Sequence, residues 1–230
     1  MSSPVTTKTV TVAFDIETSG SSFVDNNIIA IGASAMDENF NELESLRLNG
    51  FLSGQVIFEP KTWDEYWSKN LILLESFVYQ GEFNTADSVE AWMIRQLQAF
   101  RKKYELYAQE IGAKYFFVSD NNVFDGGFVN CGILHLGEIR ANAMPIPYSA
   151  STGDYSAFFE TTSMQKGFLL GIDPEFDPFA KWGFSNRIAQ LYDVPSQVKQ
   201  HDHSPENDAY SIAYDFNVLL AIRQGRIKKR

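Results

Sequence analysis

Two carboxylates stand close together near the start of the chain, in the sequence DIETSG at residues 15–20. The preceding residues, 9–14, alternate apolar and smaller side chains in the period-two pattern of a β-strand. Because strand side chains alternate between faces, Asp15 and Glu17 point the same way and bring two negative charges within several ångströms of each other. Such a pair recruits a cation, and its hard oxygen ligands suit Mg²⁺ or Mn²⁺. The alternative is a pair of ordinary solvated acids at a strand end, before a Ser-Gly turn.

A third acid, Asp125, lies in the segment SDNNVFDGG at residues 119–127. An apolar run at 114–118 predicts a buried strand before it, and a helix is predicted over about 123–136. Asp125 then lies in the first turn of that helix, near its positive end, where an acid can also be an ordinary helix charge. The two glycines that follow it offer a bare backbone that a substrate can approach closely.

The last helix opens on the sequence HSPENDA at residues 203–209. Ser204 at the cap, proline at the first helical position and an acid in the first turn mark its start. Asp208 lies in the opening turns and His203 on the loop before the cap, so both side chains can converge at the helix entrance. Histidine has an unperturbed pKa of about 6.5 and is therefore available at neutral pH to take a proton from water.

A mixed sheet is predicted to bring these three segments together. Strands are expected at 28–36 and 44–52, joined by a polar connection at 37–41, and with the first strand they form an antiparallel meander. The strongest helical pattern covers 87–110 and ends at Gly112.

Residues 138–200 combine five prolines with scattered aromatic side chains, and only 186–192 has a clear helical pattern. A disordered linker would be less aromatic, so we expect an irregular insertion within a single domain, 1–230. Three aromatic residues recur at helical spacing in an earlier segment: Trp63, Tyr66 and Trp67. They are either core residues or a platform on which bases stack.

The bulk composition narrows the class of protein. The chain has 230 residues, 44% of them hydrophobic, and no apolar run approaches the roughly 20 residues of a membrane helix. The first ten residues lack the apolar core of a signal peptide. The single cysteine, Cys131, excludes an internal disulfide or a Cys-rich zinc site and predicts an intracellular compartment, cytoplasmic or nuclear.

The formal net charge is −10. This charge argues against coating long stretches of nucleic acid by charge neutralisation, but not against an enzyme that grips one end. Residues 223–230 form a basic tail with five cations and no acid. Such a tail is either a solvated end or a phosphate contact outside the active site.

Together, the three acidic segments resemble the motifs of the histidine-containing (DEDDh) branch of the DEDD exonuclease superfamily, which includes proofreading exonucleases and oligoribonucleases. The first motif corresponds to Asp15 and Glu17, the second to Asn121 and Asp125, and the third to His203 and Asp208. His201 does not fit the family spacing, so His203 is the expected base. The sequence departs from the family pattern at two places beside these motif residues. Ser19 replaces a common threonine, and Ser204-Pro205 replaces the usual small residue after the histidine.

The resemblance implies an α/β, ribonuclease-H-like mixed sheet with a three-strand antiparallel start and further parallel strands, flanked by helices and carrying the aromatic-rich insertion. It also implies a 3′-to-5′ exonuclease that acts on a single-stranded or frayed 3′ end of DNA or RNA and releases nucleoside 5′-monophosphates. The residues expected to contact the terminal nucleotide are Thr18, Ser19 and Asn121.

Four carboxylates suit this chemistry: Asp15, Glu17, Asp125 and Asp208. They can hold two Mg²⁺ or Mn²⁺ ions about 4 Å apart, one activating water and the other stabilising the leaving 3′-oxygen. The choice between DNA and RNA depends on room for a 2′-hydroxyl and stays open.

Two other functions remain possible from the sequence. One is a catalytically silent nuclease-like fold that binds nucleic acid or protein. The other is an interaction protein that uses the aromatic insertion, for which an oligomer-forming patch would be the observable feature.

Overall fold

The computed structural model describes residues 7–135, 158–177, 179–181, 183–199 and 202–230. The strands are β1 (Thr9–Thr18), β2 (Ile28–Asp37), β3 (Glu42–Asn49), β4 (Lys114–Ser119) and β5 (Phe158–Glu160). The α-helices are α1 (Pro60–Glu65), α2 (Leu71–Ser76), α3 (Ala86–Glu110), α4 (Asn122–His135), α5 (Thr161–Ile172), α6 (Phe184–Leu191) and α7 (Pro205–Arg223), with a 3₁₀ turn at Trp67–Lys69. Among the described helices, none is long and apolar enough to cross a membrane.

The strands form one mixed sheet in the order β3-β2-β1-β4-β5. β1, β2 and β3 pair antiparallel, whereas β4 pairs parallel with both β1 and β5. β2 is buried along nearly its whole length because both faces of the sheet are covered there. This architecture confirms the predicted fold class.

Helices cover the two faces of the sheet in separate groups. α3 and α4 pack on the face that carries Val10, Val12 and Phe14, while α5, α6 and α7 pack on the face that carries Ala13 and Val118. Side chains of β1 alternate between these faces. The acids of β1 therefore project on the same side as α7.

Several predicted boundaries differ from the structure. β1 continues to Thr18 because its pairing with β2 extends that far, so Asp15 and Glu17 lie within the strand rather than beyond its end. β3 ends at Asn49, three residues before the predicted end. The segment predicted to be irregular, 138–200, contains β5 and α5 in addition to α6, which matches the helical pattern predicted at 186–192. Residues 138–157, 178, 182 and 200 of this segment lie outside the described residues. β5 was missed because three residues are too few to show a period.

The start of α7 rests directly on β2 at Gly32. A Cβ atom at this glycine would lie 1.9 Å from the carbonyl carbon of Pro205 and 2.2 Å from the nitrogen of Glu206. Further along the helix, a buried hydrogen bond from the Thr11 hydroxyl to Asn217 Oδ1, 2.7 Å long, joins α7 to β1. α7 is thus fixed to the sheet at both places.

A buried acid joins α7 to its neighbouring helices. The Asp215 carboxylate accepts hydrogen bonds from Gln165 of α5, at 2.9 Å, and from Ser185 of α6. Burial raises the pKa of Asp215 from 3.8 to about 6. The carboxyl group therefore binds its proton more tightly in the folded protein than in the unfolded chain.

The basic tail is attached to the body of the protein. The backbone nitrogen of Arg230 donates to Leu191 at 2.9 Å, and its guanidinium contacts Asp193 at 3.1 Å. The tail follows the carboxyl end of α7, and Arg223 lies 15 positions after Asp208, which corresponds to about 22 Å of helix. The five cations thus lie far from the opening turns of α7.

We expect Gly32→Ala to lower the free energy of unfolding by at least about 2 kcal/mol, because the new methyl group meets backbone atoms that cannot move without displacing α7. Urea unfolding measures the change. Gly167→Ala is the matched control, since a Cβ atom at Gly167 meets nothing within 4 Å and alanine favours the helix. Equal stability of the two variants would contradict the close approach at Gly32.

Asp215→Asn is expected to make the protein relatively more stable at pH 7.5 than at pH 4.5. Because the pKa of Asp215 is raised in the folded state, its carboxyl group contributes less to the free energy of unfolding of the wild-type protein as pH rises from about 4 through about 6. Asparagine has no proton to lose and shows no such change. The difference in unfolding free energy between variant and wild type should shift by about 2 kcal/mol between the two pH values, because the carboxyl of the unfolded chain is already largely ionised at pH 4.5. The exposed Asp64→Asn variant serves as the control, and a pH-independent difference for Asp215→Asn would disprove the assignment.

Candidate active site

Acidic side chains from three separate stretches of chain meet at one edge of the sheet. Asp15 and Glu17 come from the last residues of β1. Ala13 of β1 pairs with Val118 of β4 in parallel register, so both strands deliver their next residues to the same edge. The beginnings of α4 and α7 supply the remaining groups.

Small residues of β2 lie opposite the two acids of β1. Asp15 pairs with Gly32 and Glu17 with Ala30. Directly opposed residues of an antiparallel pair share a face, so these small side chains leave room above the sheet for the start of α7. The small size of Gly32 was not recognised as significant from the sequence.

The start of α4 places Asp125 beside β1. The backbone nitrogen of Asp125 donates to the carbonyl of Asn121 at 2.9 Å, and Asn121 Oδ1 accepts a hydrogen bond of 3.2 Å from the nitrogen of Phe124. Asn121 therefore caps the helix. The Asp125 side chain is only 2% exposed, as expected for a group that faces the interior of the site.

The loop before α7 holds His203 in a left-handed conformation with φ of 62°. Asp202 stabilises this loop by accepting hydrogen bonds from the nitrogen of Ser204 at 3.0 Å and from the Asn207 side chain at 3.1 Å. The nitrogen of Asp202 in turn donates to Asp208 at 3.2 Å. His203 is exposed, whereas Asp208 is 3% exposed, so the imidazole lies at the mouth of the site and the carboxylate inside it.

The side chains form two groups of potential metal ligands. Ligand atoms of Glu17, His203 and Asp208 all lie within 4.8 Å of one another. In the second group, ligand atoms of Asp15, Asp125 and a further acid, Asp120, also lie within 4.8 Å of one another. The structure thus brings together every acid and the histidine that the motifs singled out. Asp120 was missed, although its place directly after a predicted strand was a usable signal.

Repulsion within this acidic group is evident in its electrostatics. Burial raises the pKa of Asp15 well above its usual range, and the charges of Asp125 and Glu17 raise it further. Burial, followed by the charge of Asp120, also raises the pKa of Asp125. One oxygen of Asp125, Oδ2, is buried without a hydrogen-bond partner among the described residues. Buried, crowded carboxylate oxygens fit a hard divalent cation, which would relieve both the repulsion and the lost hydration.

Of the three aromatic residues singled out in the sequence, Tyr66 lies beside the site, whereas Trp63 and Trp67 pack with the Phe58 ring. Trp67 is 1% exposed and its indole nitrogen donates to the carbonyl of Thr18 at 3.0 Å, so it belongs to the core. The Tyr66 ring packs edge-on against His203, with ring centroids 5.6 Å apart. Burial raises the pKa of Tyr66, and the charges of Glu17 and Asp208 add to the shift.

The residues predicted to touch a nucleotide have partners within the protein. The Thr18 hydroxyl donates to the carbonyl of Gly20 at 2.7 Å, and the Ser19 hydroxyl accepts from the nitrogen of Asn27 at 3.0 Å. A Cβ atom at Gly127 would meet the Phe23 ring at 2.8 Å, so this glycine accommodates a side chain of the protein itself. His201, the neighbour of the expected base, lies outside the described residues.

No protein-family model and no curated protein matches the sequence. Several solved structures have a similar fold, among them three nuclease structures. Product-bound exonuclease I has a TM-score of 0.57 at 15% identity, covering 96% of this chain and 44% of that protein. E. coli exonuclease I in complex with a dT13 oligonucleotide has a TM-score of 0.56 at 16% identity, covering 96% and 42%. Cell-death related nuclease 4 (CRN-4) has a TM-score of 0.52 at 13% identity, covering 96% and 66%.

The chain thus spans less than half the length of exonuclease I and 66% of CRN-4. At these identities the likeness concerns the fold. The chain has the ribonuclease-H-like fold expected from the sequence, and exonuclease I and CRN-4 share that fold.

Asn121→Ala is expected to lower the free energy of unfolding by about 1 kcal/mol, because the first turn of α4 loses its cap. Asn121→Ser should stay within a few tenths of a kcal/mol of wild type, since serine also caps helices. Urea unfolding in the presence of a chelator measures both variants without a contribution from bound metal. Wild-type stability of the alanine variant would contradict the capping role.

Proposed function

We propose that this chain, with its DEDD-type nuclease fold, is a divalent-metal-dependent 3′-to-5′ exonuclease. It hydrolyses the phosphodiester bond at a single-stranded or frayed 3′ end of DNA or RNA and releases nucleoside 5′-monophosphates. The observation that carries this proposal is the convergence of four carboxylates, from β1, α4 and α7, and of one histidine, from the loop before α7, at a single edge of the sheet.

The four motif carboxylates hold the cations in this proposal. Asp15 and Asp125 belong to one ligand group, and Glu17 and Asp208 belong to the other. Two bound Mg²⁺ or Mn²⁺ ions would supply activation of a water molecule and stabilisation of the leaving 3′-oxygen. The protein contributes a rigid arrangement, because each ligand comes from a strand or from the first turns of a helix fixed to the sheet.

His203 is the proposed general base. Its imidazole lies at the exposed mouth of the site, with a ligand atom of Glu17 and of Asp208 within 4.8 Å. From this position it can take the proton of the attacking water without first being desolvated. The Tyr66 ring limits the orientations open to the imidazole because the two rings are in contact.

Thr18, Ser19 and Asn121 remain the proposed contacts of the terminal nucleotide. The hydroxyl groups of Thr18 and Ser19 already hydrogen-bond within the protein, which holds this bend of the chain in place. They are therefore expected to shape the nucleotide pocket and to position its backbone groups. The Asn121 side chain is exposed and can accept a contact while it caps α4.

Digestion of an oligonucleotide labelled at its 5′ end tests the reaction. With Mn²⁺ we expect a ladder that shortens from the 3′ end, and with chelator we expect no cleavage, because the carboxylates alone cannot activate water. Matched DNA and RNA strands, single and double, identify the substrate. Absence of cleavage on all four would disprove the proposal and favour a binding role.

Two variants separate the proposed roles. Asp15→Ala should abolish turnover, since it removes a metal ligand, whereas His203→Ala should slow turnover by about 10²–10⁴-fold and leave metal binding intact. Asp64→Ala, which changes an exposed acid of α1, is the matched control. Full activity of His203→Ala would exclude this residue as the base and direct attention to His201.

A further inference from the structure

Asp120 is a fifth carboxylate at the edge of the sheet where Asp15, Glu17, Asp125 and Asp208 meet. It does not belong to the motifs that the resemblance covers. It directly follows β4, which runs parallel to β1. Ala13 of β1 pairs with Val118 of β4 in parallel register. The residues two positions further along each strand are Asp15 and Asp120, so these two acids lie side by side at the same edge of the sheet. The parallel pairing is what brings Asp120 into the site.

Asp120 belongs to the deeper of the two ligand groups. One ligand atom each of Asp15, Asp120 and Asp125 lies within 4.8 Å of the others. Asp125 is 2% exposed, and its Oδ2 atom is buried with no hydrogen-bond partner in the described part of the chain. A desolvated carboxylate oxygen without a partner is costly unless a ligand contacts it. This oxygen points to a bound cation independently of the acidic cluster itself.

We propose that Asp120 is a third carboxylate ligand of the cation held by Asp15 and Asp125. The inference rests on the proposed metal-dependent function and adds a ligand to it. The two ligand groups then differ in chemistry: the deeper group offers only carboxylate oxygens, while the other contains the His203 imidazole. An all-oxygen group with three negative charges suits Mg²⁺ or Mn²⁺ and binds the ion before any nucleic acid arrives.

A structural role is the competing explanation for Asp120. Its side chain hydrogen-bonds to that of Asp125, and such a pair can share a proton without any metal. Asparagine at this position keeps a hydrogen bond to Asp125 through its amide but removes the negative charge. Asp120→Asn therefore separates a metal ligand from a structural partner.

The test is titration of the full chain with Mn²⁺ by isothermal calorimetry, without nucleic acid. We expect Asp120→Asn to raise the Kd of the tighter Mn²⁺ ion by at least about tenfold, while its thermal unfolding in chelator stays cooperative. Asp64→Asn removes an exposed acid outside the ligand groups and should leave the Kd unchanged. If Asp120→Asn does not fold, Asp120→Ser also removes the charge and allows the same comparison.

A wild-type Mn²⁺ affinity in the Asp120 variant would overturn the inference and make Asp120 a structural partner of Asp125. The oligonucleotide digestion is run in parallel on the wild-type protein. Cleavage by the wild type combined with unchanged Mn²⁺ affinity of the variant defeats this inference alone. Reduced Mn²⁺ affinity of the variant combined with no cleavage by the wild type supports the ligand and defeats the proposed exonuclease.

Discussion

Repulsion between carboxylates at one edge of the sheet is the constraint that the packing of this fold must overcome. Five acidic side chains from three stretches of chain lie at one edge of the sheet: Asp15, Glu17, Asp120, Asp125 and Asp208. Burial strengthens their repulsion because fewer water molecules screen the charges. Burial raises the pKa of Asp15 and of Asp125 well above the usual range, and the neighbouring charges raise both pKa values further. A divalent cation at this edge would convert the same arrangement into a favourable one.

The rest of the fold opposes this repulsion mechanically. β1 lies between β2 and β4 and pairs with β4 as far as Ala13, while its pairing with β2 continues through Asp15 and Glu17 and fixes both acids in the sheet. The glycine at position 32 lets α7 lie directly on β2, and the buried bond between Thr11 and Asn217 fixes the helix further along. Asp208 is carried on the first turns of this fixed helix. The packing of α7 on the sheet therefore keeps the carboxylates close together despite their mutual repulsion.

The distribution of charge also bears on how a substrate would approach. The protein carries a net charge of −10, which includes the five carboxylates at this edge. For the proposed exonuclease, these carboxylates would repel a phosphate group until cations are bound, so metal binding would precede productive contact with nucleic acid. The basic tail pairs with Tyr192 near the carboxyl end of α7, far from the acidic edge of the sheet. From there the tail could contact a bound nucleic acid only at nucleotides distant from the 3′ end.

Much of the fold and of the site was predictable because short motifs and periodic patterns record local requirements. The alternation of β1, the stripe of α3 and the proline start of α7 each have a period or a cap that sequence displays. The motif spacing likewise identified Asp15, Glu17, Asp125, His203 and Asp208 as a set, and the structure places them together. The limit of β1 and the strand β5 were mispredicted because pairing with a neighbour, rather than local pattern, decides them.

Only the tertiary structure decided which residues share a site and how they divide it. The grouping of Asp120 with Asp15 follows from parallel pairing of two strands about 100 residues apart in sequence, which no local pattern encodes. The importance of Gly32 depends on the approach of a helix that begins far along the chain. The sequence by itself determined which carboxylates and which imidazole the chain can offer at this edge, while long-range packing determined their distances, because distance between side chains is a property of the folded chain alone.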